Sequence, residues 1–164
     1  MADPHIKNDL LIALGELTAE FSALEGWLNI SLETLTNPED DKVGEIVAAE
    51  MSVRAKIDLI MALFRYREKD PDKVSEMKHI LKLIGNVNGR RNDLIHSVWV
   101  MNDTETWVSR STAKFETGFV SEIYEQFPIK KIREVTNDIK VRRAMFYDFF
   151  SNWTIENNKQ SNRT

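Results

Sequence analysis

Leucines and one phenylalanine, set at alternating steps of four and three, dominate the first part of the chain. Leu10, Leu14, Leu17, Phe21, Leu24 and Leu28 keep one phase, and Leu35 continues it. That spacing gathers every member on one stripe of an α-helix, whereas a strand would scatter them over both faces. A helix over roughly residues 4–36 therefore has one greasy face, which must be covered by other elements. Thr36-Asn37-Pro38 stops it. Asn37 is the expected N-cap of the next helix, with Pro38 in its first turn and Glu39, Asp40 and Asp41 favoured by the helix dipole.

The second helix is expected to run to about residue 67, with Val43, Ile46, Glu50, Val53, Ile57, Ile60 and Phe64 as its stripe. Glu50 is the odd member, an acid where the pattern asks for an aliphatic. Asp70-Pro71 breaks the chain, and a third helix follows to about residue 98. Its stripe is Ile80, Ile84, Val87, Arg91, Leu94 and Val98, again with one charged member, Arg91. The pattern then changes. Val98, Val100, Trp107 and Val108 flank the turn candidate Asn102-Asp103, which predicts a short hairpin over about residues 97–110. A third strand is expected within 113–120. Pro128 opens a last helix that turns Ile132, Val135, Ile139, Phe146, Phe150 and Trp153 inward, and the polar tail from Asn157 is expected to fray. The fold class is thus mainly α. It is an antiparallel bundle of four to five helices with a small β insertion after the third helix, forming one domain over 1–156 and a flexible tail over 157–164.

Composition narrows the chemistry. The chain has no cysteine, which excludes disulfides and thiolate catalysis and fits a reducing compartment. Its start, Met1-Ala2-Asp3-Pro4-His5, lacks the basic and apolar runs of a secretory signal, and no segment is apolar for long enough to span a bilayer. A cytoplasmic protein without membrane association is expected. The net charge is −4, so any contact with nucleic acid must rest on a local site and not on a general positive field. His5, His79 and His96 lack metal-ligand spacing. Neither a phosphate-cradling glycine loop nor a hydrolase triad is present, so no metal or cofactor is expected.

The run Gly89-Arg90-Arg91-Asn92-Asp93-Leu94-Ile95-His96-Ser97-Val98-Trp99 carries the most information. An Arg, a polar neighbour and a His five positions after the Arg lie near the end of the third long helix, behind two amphipathic ones. This combination resembles the HEPN (higher eukaryotes and prokaryotes nucleotide-binding) domains. The resemblance covers the three helices to about residue 99 and extends to the last helix, while the strands lie outside it. It implies a metal-independent endoribonuclease working as a homodimer with a composite site. In that setting His96 would be the acid/base for attack of a ribose 2′-OH on the adjacent phosphate. Arg91 would hold the phosphate, and Asn92 would orient the phosphate or His96. A toxin or defence role with a neutralising protein partner is the family-level expectation, and a non-catalytic module binding nucleotide, RNA or protein is the alternative. One branch of the family carries a modifiable tyrosine two positions after the His. Here that position is Val98, so control by that modification is not expected.

The side chains suit this chemistry: imidazole moves protons near neutrality, and guanidinium matches phosphate with paired hydrogen bonds. On a helix Asn92 and His96 are about 40° apart, whereas Arg91 and His96 are about 140° apart and would line a cleft from two sides. Gly85 and Gly89 share the Asn92/His96 face. Either another backbone approaches there, such as a second copy of this helix, or Asn86, Asn88 and Gly89 break the helix and leave the motif at a new N-terminus. Glu50 is expected to pair with Arg91 or Arg54, as a positioning contact or as an ordinary structural ion pair. Arg90 is either a second phosphate contact or a solvated neighbour, and Trp99 either stacks a base or belongs to the core. Lys130, Lys131, Arg133, Lys140, Arg142 and Arg143 make the last helix basic, as an RNA guide or as a solvated face.

Overall fold

The computed structural model describes residues 4–36, 41–101, 108–116 and 119–161. The leucine stripe forms α1 (Pro4–Thr36), with Leu10, Leu17, Phe21, Leu24, Leu28, Leu32 and Leu35 all buried. Asn37 and Pro38, the expected cap and first-turn residues, lie outside the described residues. The expected long second helix is in fact two, α2 (Asp41–Ala49) and α3 (Val53–Arg67). Ser52 divides them. Its backbone is extended, and its hydroxyl accepts the Ala55 N–H at 3.2 Å, as an N-cap does. The break also changes which face of α2 is inside: Val43 and Ile46 are exposed, while Gly44 and Ala48 are buried. Gly44 lies against the Glu33 backbone of α1, where a Cβ would collide with the Glu33 Cα. Only glycine allows α2 to lie this close to α1.

This turn reverses the chain. α2 folds back along the end of α1, and α3 then climbs beside α1 in the same direction, with Lys56 opposite Glu25 and Arg67 opposite Thr36. Asp70 caps α4 (Pro71–Ile95) by accepting the Asp72 N–H at 2.9 Å, and Pro71 takes the first helical position. α4 descends between α3 and α5 (Ile129–Ser161), with Lys73 meeting Glu156 and Arg90 meeting Asp138. The antiparallel packing expected from the sequence holds for α4 against both neighbours. α1, α3 and α5 run parallel to one another, as the contacts Asp9–Arg133 and Glu20–Arg143 require.

The described residues thus form a helical bundle of five helices. None of them is long and apolar enough to cross a membrane. Between α4 and α5 the backbone forms β1 (Val98–Met101), β2 (Val108–Glu116) and β3 (Phe119–Phe127), antiparallel in the order β1-β2-β3. Val98 pairs with Ser111, and Ser111 with Tyr124. The segment 113–120, read as one strand from sequence, is instead divided between β2 and β3, and the turn candidate Asn102-Asp103 lies outside the described residues. α5 continues past Asn157 to Ser161, with the Asn157 amide donating to the Trp153 carbonyl at 2.9 Å.

Candidate functional site: a cleft around Arg91

α4 is unbroken through Asn86, Asn88 and Gly89, so the motif lies at the C-terminal end of a helix and not at a new N-terminus. Arg91 is half-buried and projects toward α1, its guanidinium carbon 4.8 Å from the centre of the Phe21 ring. The ring face attracts the cation and fixes its plane. Arg91 Nη1 donates to Asn92 Oδ1 at 3.0 Å, while Nε is buried without a partner. A cleft of about 370 Å³ opens here, with Phe21 and Glu25 from α1, the Met51–Arg54 turn, and Asn88, Arg91 and Asn92 from α4.

The acid in this cleft is already engaged. Glu25 accepts from Lys56 Nζ at 2.6 Å, and the lysine side chain retains only 5% of its surface. Among the described residues Arg91 therefore has no carboxylate partner. A partly desolvated, oriented guanidinium with an unused donor and no counter-ion is arranged to take an anion, and its planar fork suits phosphate.

The other expected site residues are placed elsewhere. His96 is exposed at the C-cap of α4, its backbone N–H donating to the Asn92 carbonyl at 3.0 Å, and it does not line the Arg91 cleft. Within one chain, Asn92 therefore orients Arg91 and not His96. Glu50 is exposed in the turn after α2 and pairs with neither expected partner. Arg54 Nε instead donates to Asp58 at 3.0 Å, one turn along its own helix. Arg90 turns away to α5, where Asp138 takes its charge, and lines a separate cleft of about 340 Å³ with Asp93, Phe127 and Lys131. Trp99 is structural: its indole N–H is used on the Leu94 carbonyl at 3.0 Å, and its ring packs edge-on against Phe127 at 5.7 Å.

Half of the basic set on α5 meets acids of α1. Arg133 faces Asp9, and Lys140 and Arg143 share Glu20. Sequence reasoning missed Phe21, Glu25 and Lys56, and the available signals were faint. Phe21 is the single ring in a leucine stripe, Glu25 adjoins buried Leu24, and Lys56 adjoins buried Ile57. Among the described residues no three His, Cys, Asp or Glu side chains converge as a metal ion would need. No protein family, no curated protein and no solved structure matches the chain.

Proposed function

We propose that this chain is a HEPN-type helical module that acts on RNA, with Arg91 and Asn92 as its phosphate contact. The observation that carries the proposal is the half-buried Arg91 guanidinium, held by Asn92 and Phe21 and left without an acid while Lys56 occupies Glu25. The motif's resemblance to HEPN domains supplies RNA as the source of the phosphate.

In this reading cleavage requires two copies. His96 and Arg91 leave α4 on different sides, so one chain does not bring the acid/base to its own phosphate contact. The C-terminal end of α4, which carries exposed Gly89 and His96, has room for a second helix, since a Cβ at Gly89 would meet nothing within 4 Å. Paired there, His96 of one copy would take the 2′-OH proton as that oxygen attacks phosphorus, and the 5′-oxygen would leave as a hydroxyl on receiving a proton from the protonated His96 imidazole of the other copy. The products are a 2′,3′-cyclic phosphate and a 5′-OH end. A toxin or defence effector, held by a neutralising protein, is the corresponding biological role. The second reading is a module that binds RNA without cutting it, and the separation of His96 from the cleft favours that reading for an isolated chain.

The test is cleavage of end-labelled RNA in EDTA by the wild type, His96→Ala and Arg91→Ala, with binding measured in parallel. Cyclic-phosphate ends that vanish in the His96 variant support the nuclease. Arg91-dependent binding without cleavage supports the binding module. Neither binding nor cleavage by the folded wild type refutes both.

A further inference from the structure

A second feature adjoins the Arg91 cleft. Between α3 and α4 runs a groove of about 480 Å³ whose floor is apolar, formed by Ile57, Met61 and Leu81. Its rim carries Arg65 on α3 and Lys78 and Lys82 on α4, all exposed, together with the Arg54–Asp58 pair of α3. Arg54 lines both the groove and the Arg91 cleft, so the two adjoin.

The rim gathers three cations that no carboxylate among the described residues neutralises. Acids outnumber bases in this chain, 26 to 22. Arg90, Arg133, Lys140 and Arg143 all meet carboxylates, as does Arg54, which is bound to Asp58. Among the described residues Arg65, Lys78 and Lys82 meet none. Three uncompensated cations around an apolar floor complement a polyanion that also carries flat, weakly polar faces. The amides along α4 continue the path, with Asn86 in the groove and Asn88 and Asn92 in the cleft. An amide both donates and accepts, as a base edge does, whereas the side chain of an acidic peptide only accepts. Packed helices lie about 8–10 Å apart, so the furrow between two of them admits a single strand and not a duplex.

We propose that the α3/α4 groove is the track along which a single-stranded RNA runs into the Arg91 cleft, its phosphates on Arg65, Lys78 and Lys82. This rests on the RNA reading given above. The floor holds no aromatic ring, so little base preference is expected along the track.

The experiment measures binding of fluorescein-labelled 2′-O-methyl single-stranded RNA of mixed sequence, which lacks the attacking hydroxyl and stays uncut, across a salt series. The full chain is compared with R65Q/K78Q/K82Q, with Arg91→Ala and with R133Q/K140Q. Each phosphate contact to a single strand contributes about 0.7 to the slope of log K against log salt, so the triple variant is expected to be shallower by about 2. R133Q/K140Q is expected to keep the wild-type slope, and a duplex of the same sequence to bind more weakly. RNA binding that needs Arg91 but ignores the triple substitution overturns the track and leaves the cleft reading intact. Binding that needs the triple but ignores Arg91 supports the track and sinks the cleft. No binding of RNA sinks both, and poly-glutamate bound through the three cations in place of RNA would make the groove a site for an acidic protein segment.

Discussion

Replacing Lys56 with methionine tests the charge arrangement at its hinge. Lys56 is almost fully buried, and Glu25, its partner at 2.6 Å, keeps 35% of its side-chain surface. Removing one member of a fully buried ion pair costs about 3–5 kcal/mol. Here the surviving carboxylate keeps part of its hydration and methionine refills the volume of the lysine stem, so about 1–2 kcal/mol is expected. In a chain of this size that lowers the melting temperature by about 2–8 °C. The larger effect falls on ligand binding. A Glu25 carboxylate released from Lys56 lines the same cleft as Arg91, which has no other acid to meet. Turning to Arg91, it would compete with phosphate at the strength of a charged hydrogen bond, about 1.5–3 kcal/mol, or roughly 10–150-fold in affinity. Thermal melting and fluorescence anisotropy with the uncut RNA analogue read the two effects separately. K56M/E25Q is expected to recover the affinity of the wild type while remaining less stable. An unchanged affinity in a Lys56→Met protein that melts as expected would refute the idea that Lys56 keeps Arg91 free.

Three further outcomes are expected. Gly44→Ala would press a Cβ into the Glu33 backbone, 2.9 Å from its nitrogen, and should destabilise by about 1–3 kcal/mol in a denaturant titration. Gly89→Ala meets nothing within 4 Å and should stabilise the monomer by about 0.5–1 kcal/mol. If copies pair through this face, the same change weakens self-association in sedimentation equilibrium. Burial raises the Glu68 carboxyl, but hydrogen bonds from the Asp70 N–H, the Trp153 indole and the Lys69 N–H, with the charge of Lys73, bring it below its ordinary 4.5. A lowered folded value means this clamp between the α3–α4 turn and α5 is complete above the ordinary value. It is lost as pH falls through the lowered one. The Trp153 indole N–H resonance should report that loss, and a Glu68→Gln protein should lack it.

The long helices were legible because their apolar stripes are long and regular. α1 follows from seven side chains in one phase, and the entry to α4 from Asp70-Pro71. The break between α2 and α3 was hidden by the same regularity, since Val43 and Ile46 extend the α3 stripe in phase although α2 buries its opposite face. Glu50 was the visible symptom: an acid interrupts the stripe because the helix ends there, not because a cation awaits it. Ser52, a good N-cap, was the second sign. For the cleft, Arg91 and Asn92 could be read from the motif, but the environment that gives Arg91 its character could not. Phe21, Glu25 and Lys56 come from two other helices, and only the chain reversal brings them to it. Helix periodicity places Arg91 and His96 on two sides of one cleft, but α4 ends at Ile95, and His96 at its C-cap stays outside the cleft that Arg91 lines.

The parallel run of α1, α3 and α5 also governs the order in which the molecule can assemble. α3 and α4 are neighbours in sequence and can pair as soon as both exist, as can α1 and α2. The inner stripe of α1 also needs α5, whose Ile132, Ile139 and Phe146 are fully buried and which begins only at Ile129. At about 5–20 residues per second, a ribosome leaves that stripe partly uncovered for many seconds after α1 has emerged. The half-made chain thus exposes a leucine-rich surface of the kind that chaperones bind. The finished protein hides it by a contact between the two helices farthest apart in sequence.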